Sequence, residues 1–401
     1  MINWYFPLYL GIVFILWLFA HIGTHRNVKH YLKGNKGLIG LSLGTNLLLG
    51  HLISGETILL TIIAVVNWGL WGGLGFTFLE LVSLLVMAYL VIQIKKAQLL
   101  GEDILKSIQR QLQIPNYNLL LWAFAFCSLG NIVLQGLVLK YLLGNTLAYS
   151  FWGSLLFLSV FSLIWSGLGG FGALSQGIKL QVLFVFFTTA LVTASIFLEK
   201  GISSTYEGWI RITQTPLVEE KIVFFLLIGI IFRLTQRLLD NCLWQVSAQI
   251  KPHRLLPVWG LTILCYLAIP LAFSASTVLG LTQGIDYYQG NILIILRNFN
   301  FSFLLNLYVT TVFIVVTSTY ATNLYGIISL FLANQKKEPN ILRAYALSLG
   351  TVILCLTGIL LLQNYSLVSY LKVLTLAYIC LLAGLLLGLL RKTVQDFIKT
   401  G

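Results

Sequence analysis

Charge is what this sequence has least of. Asp, Glu, Lys and Arg make up 9% of its 401 residues, against about 25% in an ordinary soluble domain. With 58% hydrophobic residues and a mean hydropathy of +0.91, the chain cannot cover itself with a water-compatible surface. A soluble globular protein is excluded. Period-2 alternation is missing too. The apolar stretches are continuous Leu/Ile/Val/Phe runs, and because backbone amides in hydrocarbon must bond internally, helices rather than a closed barrel are expected. The stretch 1–19 has no basic n-region and no small-residue cleavage site, so it reads as a retained span and not as a signal peptide. Cysteine is sparse: Cys127, Cys242, Cys265, Cys355 and Cys380 all fall within apolar stretches. They read as small packing residues, not as disulfides or metal thiolates. No nucleophile–base pair, metal cluster or phosphate loop stands out, and an enzyme is not expected.

What the sequence does have is length in hydrocarbon. A membrane-crossing helix needs roughly 20 mostly apolar residues, and eleven segments qualify: 3–22, 41–63, 65–94, 118–143, 150–168, 173–198, 222–247, 255–280, 303–333, 341–363 and 367–390. Their connections are short, so the fold class is an all-α polytopic membrane protein forming a single membrane domain over 1–401. The net charge of +13 raises nucleic acid as a partner, but its distribution argues against one. With the N-terminus outside, 17 of the 25 basic residues fall on one side of the membrane and six on the other, leaving Arg233 and Arg237 within a span. The positive-inside rule then places the C-terminus in the cytoplasm of what reads as a bacterial inner membrane. Segment 102–113 is amphipathic and basic, as expected of a helix lying along the cytoplasmic surface. The connection 281–302 reads either as a short helix over an external vestibule or as a plain connector.

Setting the first span aside, five spans over 41–198 and five over 222–390 begin on opposite sides of the membrane, which makes the two halves inverted relative to one another. Local sequence points the same way. VKHYLKGN (28–35) is similar to a "DYFLAGR" stretch, GHLISGE (50–56) to a first core helix interrupted by an "ISAE"-like run, and SGLGGFGALSQGIKLQ (166–181) to "GGLKAVVWTDVIQ". DNCLWQ (240–245) is similar to "DQxxxQR", and VTSTYATNLYGIISLFLA (316–333) to "MSSLDSALNSLSTLF". In this order and spacing, the set resembles the sodium:solute symporter family. That resemblance implies a LeuT-type five-plus-five inverted-repeat fold with an extra N-terminal span, and secondary transport of a small-molecule solute by alternating access; the alternative is a receptor of the same fold that binds solute without moving it.

The resemblance also implies sites. Ser318 and Thr319 take the positions of the family's paired Na⁺-site hydroxyls, with the carbonyls of Gly50, Ile53 and Val315 completing the set; hard, uncharged oxygens suit that ion. The alternative is that the hydroxyls bond back to carbonyls one turn earlier. Where the family places an Asp on the fifth core helix, Ile178 aligns here, followed by Lys179. That ammonium either substitutes for the ion, in a proton-coupled or uncoupled carrier, or reaches to the cytoplasmic edge.

Arg233, Arg237 and Asp240 recur at i, i+4 and i+7 on one helix face, and charges at bilayer depth must meet protein or water. Glu56 and Asp240 are the acids expected to face the arginines. One reading is a structural network in which Asp240 pairs with Arg237 and Glu56 with Arg233. The other is that an arginine grips a solute carboxylate, which favours an anionic or zwitterionic organic solute over a sugar. His51, Asn46, Asn241 and Gln245 are secondary solute-site candidates. The Gly/Trp run 68–76 reads as close helix packing.

Overall fold

The structure, a computed structural model, describes residues 28–33, 39–98, 104–111, 116–143, 151–201, 220–282, 302–333, 340–367 and 369–381, with a few isolated positions. The expected first span, most of the connections 199–221 and 281–302, and the end of the last span lie outside the described residues, as do both termini. The elements are α1 (Val28–Lys33), α2 (Leu41–Leu52), α3 (Gly55–Ala97), α4 (Ile104–Gln111), α5 (Tyr117–Leu143) and α6 (Phe151–Ser162), which continues as a π-helical turn over Leu163–Leu168. They go on as α7 (Gly170–Lys200), α8 (Glu220–Leu238), α9 (Asn241–Gln249), α10 (Leu255–Thr282), α11 (Ser302–Ala333), α12 (Ile341–Leu362) and α13 (Ser369–Leu381). Apart from an isolated parallel bridge between Ile39 and Ile250, the regular structure among the described residues is helical. Helices α3, α5, α7, α10, α11 and α12 are long and apolar enough to cross a membrane. This is an all-α polytopic membrane protein.

Helices α5 and α11 are the most deeply enclosed of these spans and α12 the least. On α12, Leu349, Ile353, Leu354 and Leu361 point outward, as an element facing lipid requires. Helix α4 turns Ile104, Leu105 and Ile108 inward onto α3, α5 and α9, while Arg110 Nη2 donates to the Ala97 carbonyl at 2.8 Å. Over the described residues Ile104–Gln111, the amphipathic helix thus covers the bundle with its apolar face.

Two interruptions set the architecture. The expected span 41–63 is split: Ile53 (ψ 107°) and Ser54 (ψ 155°) are extended, and the Ser54 hydroxyl accepts from the Thr57 N–H at 3.1 Å. A serine in that position satisfies a donor that the new helix cannot. Helix α3 then joins the remainder of that span to the expected 65–94 span through a kink at Trp68 and Gly69, where Gly69 has φ 60°. The second interruption corrects the expected continuous span 222–247. Helix α8 ends at Leu238, Asp240 is extended, and its carboxylate caps Leu243 N–H at 3.2 Å.

The Gly/Trp run works in packing, as its sequence implied. A Cβ added at Gly73 would lie 2.5 Å from Ser274 Oγ on α10, and one at Gly72 only 1.9 Å from the Ala64 carbonyl oxygen. Because the latter obstacle is backbone on the other arm of the kink, Gly72→Ala is expected to lower stability by about 1–3 kcal/mol. Thermal unfolding in detergent checks this. Gly260→Ala, where an added Cβ meets nothing within 4 Å, should leave the midpoint unchanged or raise it.

Candidate functional site

The two interruptions lie side by side, and the residues flanking them form two polar clusters. The first is a charge network. Glu56 sits in the opening turn of α3, Arg233, Gln236 and Arg237 in the closing turns of α8, and Glu80 further along α3. Arg233 Nη1 meets Glu56 Oε1 at 2.9 Å and Arg233 Nε meets Glu80 Oε1 at 2.7 Å, while Arg237 Nη2 meets Glu80 Oε2 at 3.2 Å. Gln236 Nε2 donates to Glu56 Oε2 at 3.0 Å and to Asn131 Oδ1 on α5 at 2.9 Å. The guanidinium of Arg237 lies 5.8 Å from the centre of the Tyr266 ring on α10, and that of Arg233 lies 5.6 Å from the centre of Phe76. None of the four charged residues is more than 5% exposed, and their charges sum to zero.

This arrangement bears out the Glu56–Arg233 pair and corrects the other. Asp240 does not meet Arg237. Its Oδ2 lies 2.6 Å from His51 Nε2, and its Oδ1 caps α9. Arg237 is met instead by Glu80, an acid that the sequence reading passed over. The signal was available, because a glutamate inside a span is expensive wherever it stands, but its partner lies 157 positions away. Asn131, Gln236 and Tyr266 were missed for the same reason. Asn241 directs its Nδ2 to the Gly326 carbonyl at 2.7 Å and to Ser329 Oγ at 3.2 Å, which fixes α9 against α11. Asn46 and Gln245 are only partly buried.

The His51–Asp240 contact joins α2 to the start of α9. At their other ends the same two half-helices are tied by main chain: Ile39 N–H donates to the Gln249 carbonyl at 2.8 Å, and Lys251 N–H to the Ile39 carbonyl at 3.2 Å. The pair is therefore clamped at both ends. To move apart they must give up a buried side-chain contact and two backbone hydrogen bonds.

The second cluster gathers the residues expected at the cation site. Thr319 Oγ1 donates to the Val315 carbonyl at 3.0 Å and reaches the Ile53 carbonyl at 3.3 Å. The back-bonding alternative is thus realised for Thr319, with the interrupted helix as a second acceptor. Ser318 Oγ donates to Gln181 Oε1, and Gln181 Nε2 donates to the Ile53 carbonyl at 3.2 Å. A Cβ at Gly50 would lie 2.5 Å from Ile178 Cγ2 and 3.1 Å from Gln181 Oε1, so only glycine allows α7 this close. The polar residue that α7 brings to the cluster is Gln181; Ile178, one turn earlier, packs on Gly50 as an apolar contact. Lys179 donates to Gln176 Oε1 on its own helix at 3.1 Å. Two hydroxyls, two carbonyls and a carboxamide oxygen, with no full charge, are a donor set that suits Na⁺.

Several buried polar atoms lack a hydrogen-bond partner among the described residues: both amide atoms of Gln135 on α5, Arg233 Nη2 and Arg237 Nε. Gln135 stands beside the first interruption, its Oε1 3.0 Å from where a Gly55 Cβ would be. Groups of three or more His, Cys, Asp or Glu able to hold a metal are absent among the described residues.

No protein-family model matches this sequence, and no curated protein matches it. Among solved structures it is similar to a Na⁺-coupled sialic acid symporter in a substrate-bound, outward-open state. The TM-score is 0.78 at 14% identity, covering 97% of this chain and 86% of that one. At that identity the likeness is one of fold, and this chain has the fold of that transporter over nearly its whole length.

Proposed function

We propose that this chain is a secondary active transporter that carries a small carboxylate-bearing solute across the membrane by alternating access, coupled to Na⁺. The observation that carries the reading is the pair of helix interruptions set side by side, each flanked by buried polar groups. Broken helices at mid-span supply backbone and side-chain partners to a solute, and also a place to bend. That both 41–198 and 222–390 open on an interrupted helix supports the expected five-plus-five inverted repeat. The likeness of fold to a Na⁺-coupled symporter and the oxygen set around Ser318 and Thr319 support Na⁺ as the coupling ion. The charge distribution supports an inner-membrane protein with its N-terminus outside and its C-terminus in the cytoplasm.

For the solute, Arg233 Nη2 and Arg237 Nε are buried donors without an acceptor among the described residues, each costing about 1–3 kcal/mol if left so. A carboxylate would meet them. Since Glu56 and Glu80 already balance the two arginines, a solute bringing no net charge disturbs the network least, and a zwitterion fits better than a multiply charged anion. Proteoliposome uptake tests this: a zwitterionic organic acid should accumulate under an inward Na⁺ gradient and not under an equal K⁺ gradient. Accumulation of neutral sugars in preference to every carboxylate would defeat the solute assignment. Solute binding with no uptake under any gradient would defeat transport itself.

A further inference from the structure

The Na⁺ reading has an internal competitor, and the competitor is Gln181. Its carboxamide lies among the groups expected to hold the ion: Oε1 accepts from Ser318 Oγ, Nε2 donates to the Ile53 carbonyl at 3.2 Å, and the backbone of Gly50 packs against it. Gln181, Ser318 and Ile53 are all fully buried, so water does not take over these bonds. The amide thereby links three elements: α7, α11 and the interruption between α2 and α3. A carbonyl oxygen that accepts an N–H directs its electron density at a partial positive charge, the same polarity that a cation presents. The Ile53 carbonyl accepts from Gln181 Nε2 at 3.2 Å and from Thr319 Oγ1 at 3.3 Å, so both of its lone pairs are engaged. For Na⁺ to take the one that faces Gln181, the N–H must leave it, while Gln181 Oε1 can stay as a ligand beside Ser318.

We infer that Gln181 is the cation-coupling switch of this transporter: its amide N–H holds the place of the cation on Ile53, and a cation binds by displacing it. The inference rests on the proposed Na⁺ site. It adds that ion binding exchanges a bond between α7 and the interrupted helix for one between the ion and that helix. Occupancy is thereby tied to whether α2 is held against α7. Lys179, the other polar residue at this level of α7, is engaged with Gln176 and has no part in the exchange.

The substitution that separates the roles is Gln181→Glu. A carboxylate keeps an oxygen for Ser318, removes the competing N–H and adds a negative charge. Solute uptake into proteoliposomes, titrated with Na⁺ at constant ionic strength, should show the half-saturating Na⁺ concentration falling about ten-fold or more, equivalent to about 1.4 kcal/mol. An unchanged Na⁺ dependence in Gln181→Glu, with a Na⁺-dependent wild type, overturns the inference and leaves the Na⁺ reading standing. A wild type indifferent to Na⁺ removes that reading. If Gln181→Glu then acquires Na⁺ dependence, the amide is shown to stand in for the ion; if it does not, the inference falls with the reading.

Should the glutamate variant fail to fold, Gln181→Met provides a second arm. Methionine fills a similar volume with neither the amide donor nor the amide oxygen, so the Ile53 carbonyl keeps only the longer contact from Thr319 Oγ1 at 3.3 Å and the Ser318 hydroxyl loses its acceptor, leaving both to the ion. The increase in unfolding temperature between Na⁺-free and Na⁺-containing buffer should then exceed that of the wild type. An increment equal to or below the wild-type value overturns the inference, because a merely structural glutamine would lower both temperatures alike.

Discussion

Glu80→Gln is expected to destabilise the protein by about 3–5 kcal/mol, the scale for removing one partner of a fully buried ion pair. Glu80 is fully buried and bridges Arg233 and Arg237 with separate oxygens, at 2.7 and 3.2 Å. An amide keeps the shape and one acceptor but removes the charge. Glu56 would then be the one carboxylate left to the two guanidinium groups, and of the two it meets Arg233 and not Arg237, so Arg237 becomes an uncompensated cation inside a span. A large drop in the unfolding midpoint in detergent, with poor membrane yield, is the expected result. Adding Arg237→Gln should recover part of the loss, because the double variant restores neutrality, and coupling of this kind is what a double-mutant cycle measures. A Glu80→Gln protein as stable as wild type, with binding of a carboxylate solute strengthened, would show that the arginines are balanced by the solute and not by the network.

Ser318→Ala combined with Thr319→Ala is expected to abolish Na⁺-dependent uptake while leaving the protein folded. Each hydroxyl presented to a cation contributes on the scale of a charge-assisted contact, about 1.5–3 kcal/mol, so losing both weakens ion binding by roughly 100-fold or more. The folded protein loses about 1–3 kcal/mol, chiefly because Gln181 Oε1 is left without the Ser318 hydroxyl. Thr319 Oγ1 serves carbonyls at 3.0 and 3.3 Å, one of them already accepting from Gln181. Na⁺ titration of uptake and of thermal stability checks both halves. Retention of a wild-type Na⁺ response in the double variant would show that the ion binds elsewhere.

The sequence by itself determined the solvent and the class of fold. A span is a local property, legible wherever about 20 apolar residues run together, and α5, α7, α10, α11 and α12 lie where those runs are. The first interruption was legible only through the resemblance of GHLISGE (50–56) to an interrupted helix; the Ser54 side-chain cap that accounts for it physically is seen in the structure. The Glu56–Arg233 pair was legible too, once the two helices carrying it were taken as neighbours. The second interruption was not, since Asp240 reads on a helical face with Arg233 and Arg237 until the chain turns extended there and sends its carboxylate to His51.

Only the tertiary structure decided which acid meets which arginine. Glu80 becomes a partner because α3, bent at Trp68 and Gly69, packs along α8, and nothing in the residues around it records that. The same holds for Gln181 against Ile178. Both lie on the face of α7 that meets Gly50, and whether the ion-site neighbour is an amide or a branched alkyl group depends on a one-turn difference in where α7 crosses α2. Composition decides that charges in a membrane must be paired. The pairs themselves are made between helices far apart in sequence, by packing that no local pattern encodes.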